Sequence, residues 1–447
     1  MKIYRRLTYA VSALLLSVSV VSAKVSGEKG DMANHVQYPS YKGLVMAGYQ
    51  AWFSTDKDGS KRAWTHYYTG RKDESGKRLP FGPGAANIEF WPDMREYKKA
   101  YETPFVFKDG KPAFLFSSAD ESTIDLHFKW MKEYGIDGCY LQLFLSNVMN
   151  PDPQREKIFG MCLKAAKKYG RAFALMYDLS GLSNDDHIAA VAADWNAKVK
   201  RYGITDPGKN PSYLYENGRP VVALWGVGLK TKKSTPGQFV ALMDRIDRFT
   251  GHEFSYLLGV SYDWREGGGD CYAPGSGLLQ ELHDCIRRAD IIMPWAVGRY
   301  GSKDSYRKRT ETLLSGDVEW CKKNDILYVP CVFPGFSWKN MKQWNRSYDS
   351  VPRDHGNFFW IQVAGAKAAG AKALYVAMFD EMDEGTAIFK CLNRKDVPLN
   401  DYKGDGGIFL GIDNELETDH YLWLAGEARK WIRGGKGYSE IQPERKK

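Results

Sequence analysis

Near its C-terminus the chain carries an apolar run of strand type, Ala373 to Phe379, that ends abruptly in Asp380, Glu381, Asp383 and Glu384. Carboxylates this close repel one another, and any that leave water lose solvation. A cation, a sugar or a proton relieves that cost. Glu381 and Glu384 lie three positions apart. In an extended strand such residues face opposite sides. In a turn or a helix start they share a face, and Gly385 favours a turn. Cleavage of a glycosidic bond uses such a pair: one carboxyl protonates the leaving oxygen and the other serves as base or nucleophile. Repulsion and partial burial raise one pKa and keep that carboxyl protonated. Glu381 and Glu384 are therefore the candidate catalytic pair, with Asp380 and Asp383 as supporting groups. Three other readings compete, the simplest being that Asp380 pairs with a lysine or arginine. A second is a solvated acidic turn at a helix N-terminus. The third is a calcium loop built from Asp380, Asp383 and backbone carbonyls.

The elements that position these residues follow from the spacing of apolar runs. Residues 43–53, 137–144, 172–180, 220–228, 254–263, 289–298, 326–333 and 373–379 read as strands. Most are continuously apolar, as strands covered on both faces are. Helical patterns lie between them. Ile124, Phe128, Met131 and Tyr134 form one stripe before Gly135. Ile158, Cys162, Ala165 and Ala166 form another before Gly170. A last helix over 418–433 places Tyr421, Leu424, Ala428 and Trp431 on one face. Strand and helix alternating eight times predicts a single-domain α/β fold, a (β/α)8 TIM barrel over 41–435. An open doubly wound sheet is the alternative, but no phosphate-binding glycine motif follows any strand. Residues 113–117 read as a lone edge or loop strand.

In such a barrel chemistry sits where strands end. Those ends carry Tyr49, then Tyr262, Asp263 and Arg265, then Trp295 and Arg299, then Trp338, with His66 beyond the first strand. Aromatic rings to stack and charged groups to bond hydroxyls suit a polyhydroxylated ligand. These eight residues are the candidate substrate contacts, although His66, Trp295 and Trp338 read equally well as packing. His127 lies beside its helix's apolar stripe and reads as structural. A serine hydrolase is disfavoured, because no G-x-S-x-G elbow is present.

Lys2, Arg5 and Arg6, an apolar stretch to Val21 and the small residues Val21-Ser22-Ala23 read as a secretory signal peptide at 1–23, followed by an extended leader at 24–40. The expectation is an exported protein, periplasmic or secreted, with no membrane anchor. Formal net charge is +9. Acids and bases are interspersed, so no nucleic-acid partner is expected, and the basic tail at 436–447 reads as solvated. Seven cysteines contain no C-x-x-C pair. Mostly buried thiols are expected, with neither a zinc nor a redox motif. Neither a metal nor any other cofactor is expected, and the partner is a carbohydrate substrate.

Several motifs together resemble a known group. Gly48-Tyr49-Gln50-Ala51-Trp52-Phe53, Phe90-Trp91-Pro92-Asp93-Met94 and Phe116-Ser117-Ser118-Ala119-Asp120 look like the bacterial glycoside hydrolase family 71/99-like proteins. So do His127-Phe128-Lys129-Trp130-Met131, Gly135-Ile136-Asp137-Gly138, Phe379-Asp380-Glu381 and Glu384-Gly385-Thr386. The resemblance spans roughly residues 40–435. It implies a (β/α)8 retaining enzyme of endo-α-mannosidase or endo-α-mannanase type with an E-x-x-E pair. Glu381 would be the general base on a sugar 2-hydroxyl, leading to a 1,2-anhydro sugar. Glu384 would be the general acid to the leaving group and then the base for water. Tyr49 and Tyr262 match tyrosines at the family's site. The family motif has Asn before the first Glu and Trp after it, where this chain has Asp380 and Met382. Relatives of this bacterial group carry labels such as xylosidase/arabinosidase, and the similar family 71 comprises fungal α-1,3-glucanases, so these types remain alternatives. A barrel that binds glycan without cleaving it is a further one.

Overall fold

A computed structural model describes residues 35–68, 70–73, 75–342, 347–401 and 407–445. The expected signal peptide, most of the leader and the last two residues of the basic tail lie outside the described residues. Eight apolar segments become barrel strands. They are β1 (Val45–Tyr49), β2 (Gly138–Phe144), β3 (Ala172–Asp178), β4 (Arg219–Val227), β5 (Ser255–Val260) and β6 (Ile291–Pro294), then β7, in two pieces (Leu327–Tyr328 and Cys331–Val332), and β8 (Leu374–Val376). Each overlaps one of the runs read from the sequence. The strands from β1 to β6 pair in parallel in chain order, and β8 pairs with β1. The ring closes at β7. Its first piece pairs with β6 and its second with β8.

One long helix follows each strand: α1 (Glu121–Tyr134), α2 (Pro153–Tyr169), α3 (Asp185–Tyr202), α4 (Pro236–Thr250), α5 (Gly277–Ile286), α6 (Lys303–Lys323), α7 (Asn357–Ala368) and α8 (His420–Ile432), with short helical turns at Leu145–Met149 and Lys339–Lys342. The helices cover the outside of the barrel, which is why β2, β3 and β5 are buried on both faces. Ile124, Phe128 and Met131 of α1 are buried as their spacing predicts. Gly135 and Gly170 end α1 and α2 in the left-handed region, at φ 78° and 56°. A side chain there would meet the steric penalty that glycine escapes.

The sequence reading needs one correction in the long connection between β1 and α1. The expected lone strand at 113–117 is half of an antiparallel hairpin, Tyr101–Val106 with Pro112–Leu115. Its partner escaped notice because exposed and buried residues alternate along it, so it lacks the continuous apolar run of a barrel strand. All seven cysteines are free and buried.

The end of the barrel opposite the acid turn is locked by Asp137, which is almost fully buried. One carboxylate oxygen accepts from the β1 backbone at Val45 (2.9 Å). The other accepts from Arg429 and Arg433 at the end of α8, both at 2.8 Å. A single side chain thereby joins the start of β1, the start of β2 and the last helix. Asp137→Ala leaves a buried amide and two guanidinium groups without their acceptor. A loss of about 3 kcal/mol is expected, read as a lowered urea midpoint.

Candidate active site

After β8 the chain folds back on itself. The Glu381 carbonyl accepts from the amides of Thr386 (3.1 Å) and Ala387 (3.0 Å), and the Met378 carbonyl accepts from Ile388 (3.0 Å). Gly385 has φ 70°, and a Cβ there would stand 2.7 Å from the Ser337 nitrogen. Only glycine fits this contact. The turn is thus pinned to the loop after β7, where the Ser337 amide donates to the Glu384 carbonyl (2.9 Å). Arg353 donates to the carbonyls of Gly385 (2.9 Å) and Ala387 (2.7 Å). Glu381 and Glu384 therefore lie on one tight turn past the C-terminal end of β8.

Each acid has a different environment. Asp380 is fully buried, and its two oxygens accept from the backbone amides of Gln50 and Ala51, both at 2.8 Å. With both oxygens so engaged, it is a poor ligand for a cation. Glu381 is 5% exposed. Its oxygens accept from the Gln50 side-chain amide (2.8 Å) and the Thr386 hydroxyl (2.9 Å). Asp383 approaches Nδ1 of His66 at 3.1 Å, and its other oxygen has no partner among the described residues. Glu384 is half-buried.

Burial pushes Glu381 well above the usual carboxylate range. Repulsion from Glu384 and Asp383 adds to this, while Thr386 and Gln50 pull the other way. Glu384 is raised to about 7, by burial first and then by Asp383, against the attraction of Lys342. Asp380 is also raised to about 7, chiefly by burial, against its two backbone donors.

Around the turn the predicted contacts separate into groups. His66 stands at the site, stacked on Trp52 with centroids 3.6 Å apart and planes 4° from parallel. Trp52, His66, Arg62, Phe144, Ser146, Asn147 and Arg155 line a cavity of about 240 Å³. Trp295 is half-buried and packs edge-on against Trp225 and Tyr375. Trp338 lies one residue beyond Ser337, under the Lys342 ammonium at 5.3 Å.

The other predicted contacts are engaged within the protein. Tyr49 is a correction: it is fully buried on the helix side of β1, and its hydroxyl meets Nδ1 of His127 at 2.7 Å. Strand parity explains this. Gly48 faces the barrel interior, where a Cβ would strike Met378 and Tyr375, so Tyr49 must face outward. Nε2 of His127 meets the Tyr97 hydroxyl at 2.8 Å. Burial lowers its pKa to about 3, so it is neutral packing, as read from its helix. Arg265 is a second correction. It binds Asp317 of α6 at 2.7 Å and packs against Gly316 of the same helix, away from the turn. Asp263 gives both oxygens to Arg309 at 2.6 Å. The Arg309 guanidinium also covers the Tyr262 ring at 4.9 Å. Arg299 binds Asp270 at 2.8 Å.

Three side chains escaped the sequence reading. Gln50 and Thr386 hold Glu381. Arg155 is buried beneath the same place and donates to the carbonyls of Gln50 (2.9 Å) and Ala51 (2.8 Å) and to that of Gln142. Parity on β1 could have found Gln50, since the residue after an outward Tyr49 points in. Nothing in the sequence signals Arg155.

The raised carboxyls carry a stability consequence. A carboxyl with a folded-state pKa above its unfolded value stabilises the fold while protonated. That contribution is complete below the unfolded value of roughly 4 and is lost as pH rises through the folded value. For Glu384 the window runs from roughly 4 to about 7. Thermal unfolding followed across this window is expected to show a falling midpoint, and Glu384→Gln is expected to flatten the slope. A wild-type midpoint that rises toward pH 7 contradicts this account.

No family model matches the chain. A glycoprotein endo-alpha-1,2-mannosidase of Mus musculus is 20% identical over 402 residues, covering 82% of this chain and 72% of that protein. A glycoprotein endo-alpha-1,2-mannosidase-like protein of Danio rerio is 27% identical over 114 residues, which is 25% of this chain and 22% of that relative's length. The GH99 endo-alpha-mannosidase structure from Bacteroides thetaiotaomicron superposes with a TM-score of 0.62 at 14% identity, covering 88% of this chain and 98% of that one. In fold, and over most of its length, the chain is similar to glycoside hydrolase family 99, as its motifs imply.

Proposed function

We propose that this protein is a glycoside hydrolase that cleaves a polysaccharide or glycan by carboxylate acid–base chemistry, with Glu381 as base and Glu384 as acid. The observation that carries the reading is the unequal treatment of two carboxyls on one turn at the barrel's C-terminal end. Both oxygens of Glu381 accept hydrogen bonds, from Gln50 and Thr386. Such donors pull against the burial that raises its pKa and so work toward the ionised form that a base needs. Glu384 is held near neutral pH by burial and by Asp383, where it can both give and take a proton. The two groups repel each other, so the ionised state of one supports the protonated state of the other.

Glu381 takes the proton of a substrate hydroxyl next to the anomeric carbon, and that oxygen attacks the carbon. The bond to the leaving oxygen breaks as Glu384 delivers its proton. Water then opens the strained ring, with Glu384 accepting a proton from water and Glu381 returning its own. Trp338, next to the Ser337 amide that holds the Glu384 carbonyl, and the His66 ring, backed by Trp52, offer flat faces for sugar rings.

The similarity to endo-α-mannosidases supports an α-mannan or α-mannose-containing glycan. Xylosidase/arabinosidase and α-glucanase types are the alternatives to be screened. Export to the periplasm or the medium is part of the proposal and rests on the leader's sequence. One observation favours a second reading, a barrel that binds glycan without cleaving it: Glu381 is only 5% exposed.

Purified protein incubated with α-mannans, α-glucans and arabinoxylans, with product analysis, separates these readings. Glu384→Gln is expected to lower turnover by about 10²–10⁴-fold, and Glu381→Gln by a similar factor. Full activity in both variants rules out the pair. Glycan binding by calorimetry with no product from any polymer favours the second reading.

A further inference from the structure

Beneath the catalytic turn lies a charge arrangement that the acid–base reading does not use. Gln50 and Ala51, just past β1, form a bend with Ala51 at φ 46°, a region that side-chain-bearing residues seldom occupy. Both N–H groups of the bend go to Asp380 on one side. Both carbonyls go to Arg155 on the other. Arg155 is 6% exposed and Asp380 is fully buried. Among the described residues the Arg155 guanidinium meets only carbonyl oxygens, and its Nε has no partner. A buried guanidinium needs a nearby negative charge, and Asp380 is one of those in range, as is Asp152. The peptide joining Gln50 to Ala51 therefore has its N–H on the Asp380 carboxylate and its carbonyl on the Arg155 guanidinium, so its dipole runs from one to the other. The side chain this bend projects is Gln50, whose amide donates to Glu381.

We propose that Asp380 and Arg155 are a matched charge pair acting through the Gln50–Ala51 bend, and that Asp380, Arg155 and Gln50 are positioning residues that hold Glu381 in its working orientation and ionised form. Asp380 is thereby assigned a role distinct from proton transfer. Its two oxygens aim the donor that controls the neighbouring glutamate. The inference rests on the acid–base reading for its catalytic consequence, but the charge pair and the hold on Glu381 are properties of the folded protein alone.

Asp380→Asn substitutes an N–H donor for one acceptor and leaves Arg155 short of its counter-charge. Turnover is expected to fall about 10²-fold with little change in KM, as misplacement of a catalytic group by about an ångström does. Gln50→Leu removes one donor from ionised Glu381. The acidic limb of the pH–rate profile is expected to move up by about one pH unit, the worth of a hydrogen bond to a charged group. A merely structural loss would lower the melting midpoint and scale the whole profile without moving its limb.

The charge pair is tested separately through stability. Arg155→Met with Asp380→Asn is expected to be less destabilised than the sum of the two single changes. If no glycan is hydrolysed, the acid–base reading fails by itself. The positioning inference is then decided by carbon-13 NMR titration of the Glu381 carboxyl, assigned through Glu381→Gln, in wild type and Gln50→Leu. An unmoved Glu381 titration in folded Gln50→Leu, or strict additivity of the Asp380 and Arg155 changes, overturns it.

Discussion

Four carboxyl groups within one turn at the end of β8 set the problem that the surrounding structure answers. Repulsion and burial both oppose their ionisation, and the packing around them supplies a different relief to each. Asp380 takes two backbone donors from the end of β1. Glu381 takes a side-chain amide and a hydroxyl. Asp383 meets His66, and Glu384 is partly buried within reach of Lys342. Because the reliefs differ, so do the protonation behaviours. Two glutamates identical in type acquire different surroundings through their neighbours alone.

That relief depends on the closure of the barrel. The donors come from β1 and the acids from β8, strands at opposite ends of the sequence that pair directly. Their pairing continues past the strand ends, where the Phe379 amide donates to the Gly48 carbonyl at 2.7 Å. Arg155, at the start of α2, reaches the same bend from below. An open sheet with β1 and β8 apart would leave Asp380 buried without its donors. The loop after β7 completes the enclosure through Ser337 and Arg353.

The far side of the barrel mouth is organised differently. Asp263, Asp270, Arg299 and Arg309 pair among themselves, with Arg309 over the Tyr262 ring. Two acids and two bases cancel locally and rigidify the loop after β5. The clustered carboxyls lie at the β8 turn, so the mouth has one wall of carboxyl groups and one aromatic wall around Trp225 and Trp295. A neutral polyhydroxylated ligand fits that combination, since an anionic one would meet the acids unscreened.

Much of this was legible in the chain. Continuous apolar runs mark strands covered on both faces. Eight of them separated by amphipathic helices admit few topologies, and glycine at positions 135 and 170 stops helices for a steric reason that needs no tertiary knowledge. The acid cluster was visible because a buried strand ending in carboxylates is anomalous in any fold. The direction in which Tyr49 points was also available from period-two alternation, though type and motif similarity pointed the other way. What the sequence could not contain were partnerships between distant residues. Arg265 and Arg299 are the same residue type near strand ends, yet one turns to Asp317 on α6 and the other to Asp270. Gln50 and Arg155 look unremarkable until β1, β8 and α2 meet. Local pattern determined the barrel and where the acids lie, because burial and helix termination act over a few residues. Only the tertiary structure decided what each acid does, because solvation and hydrogen bonding of a buried charge depend on groups brought from across the whole chain.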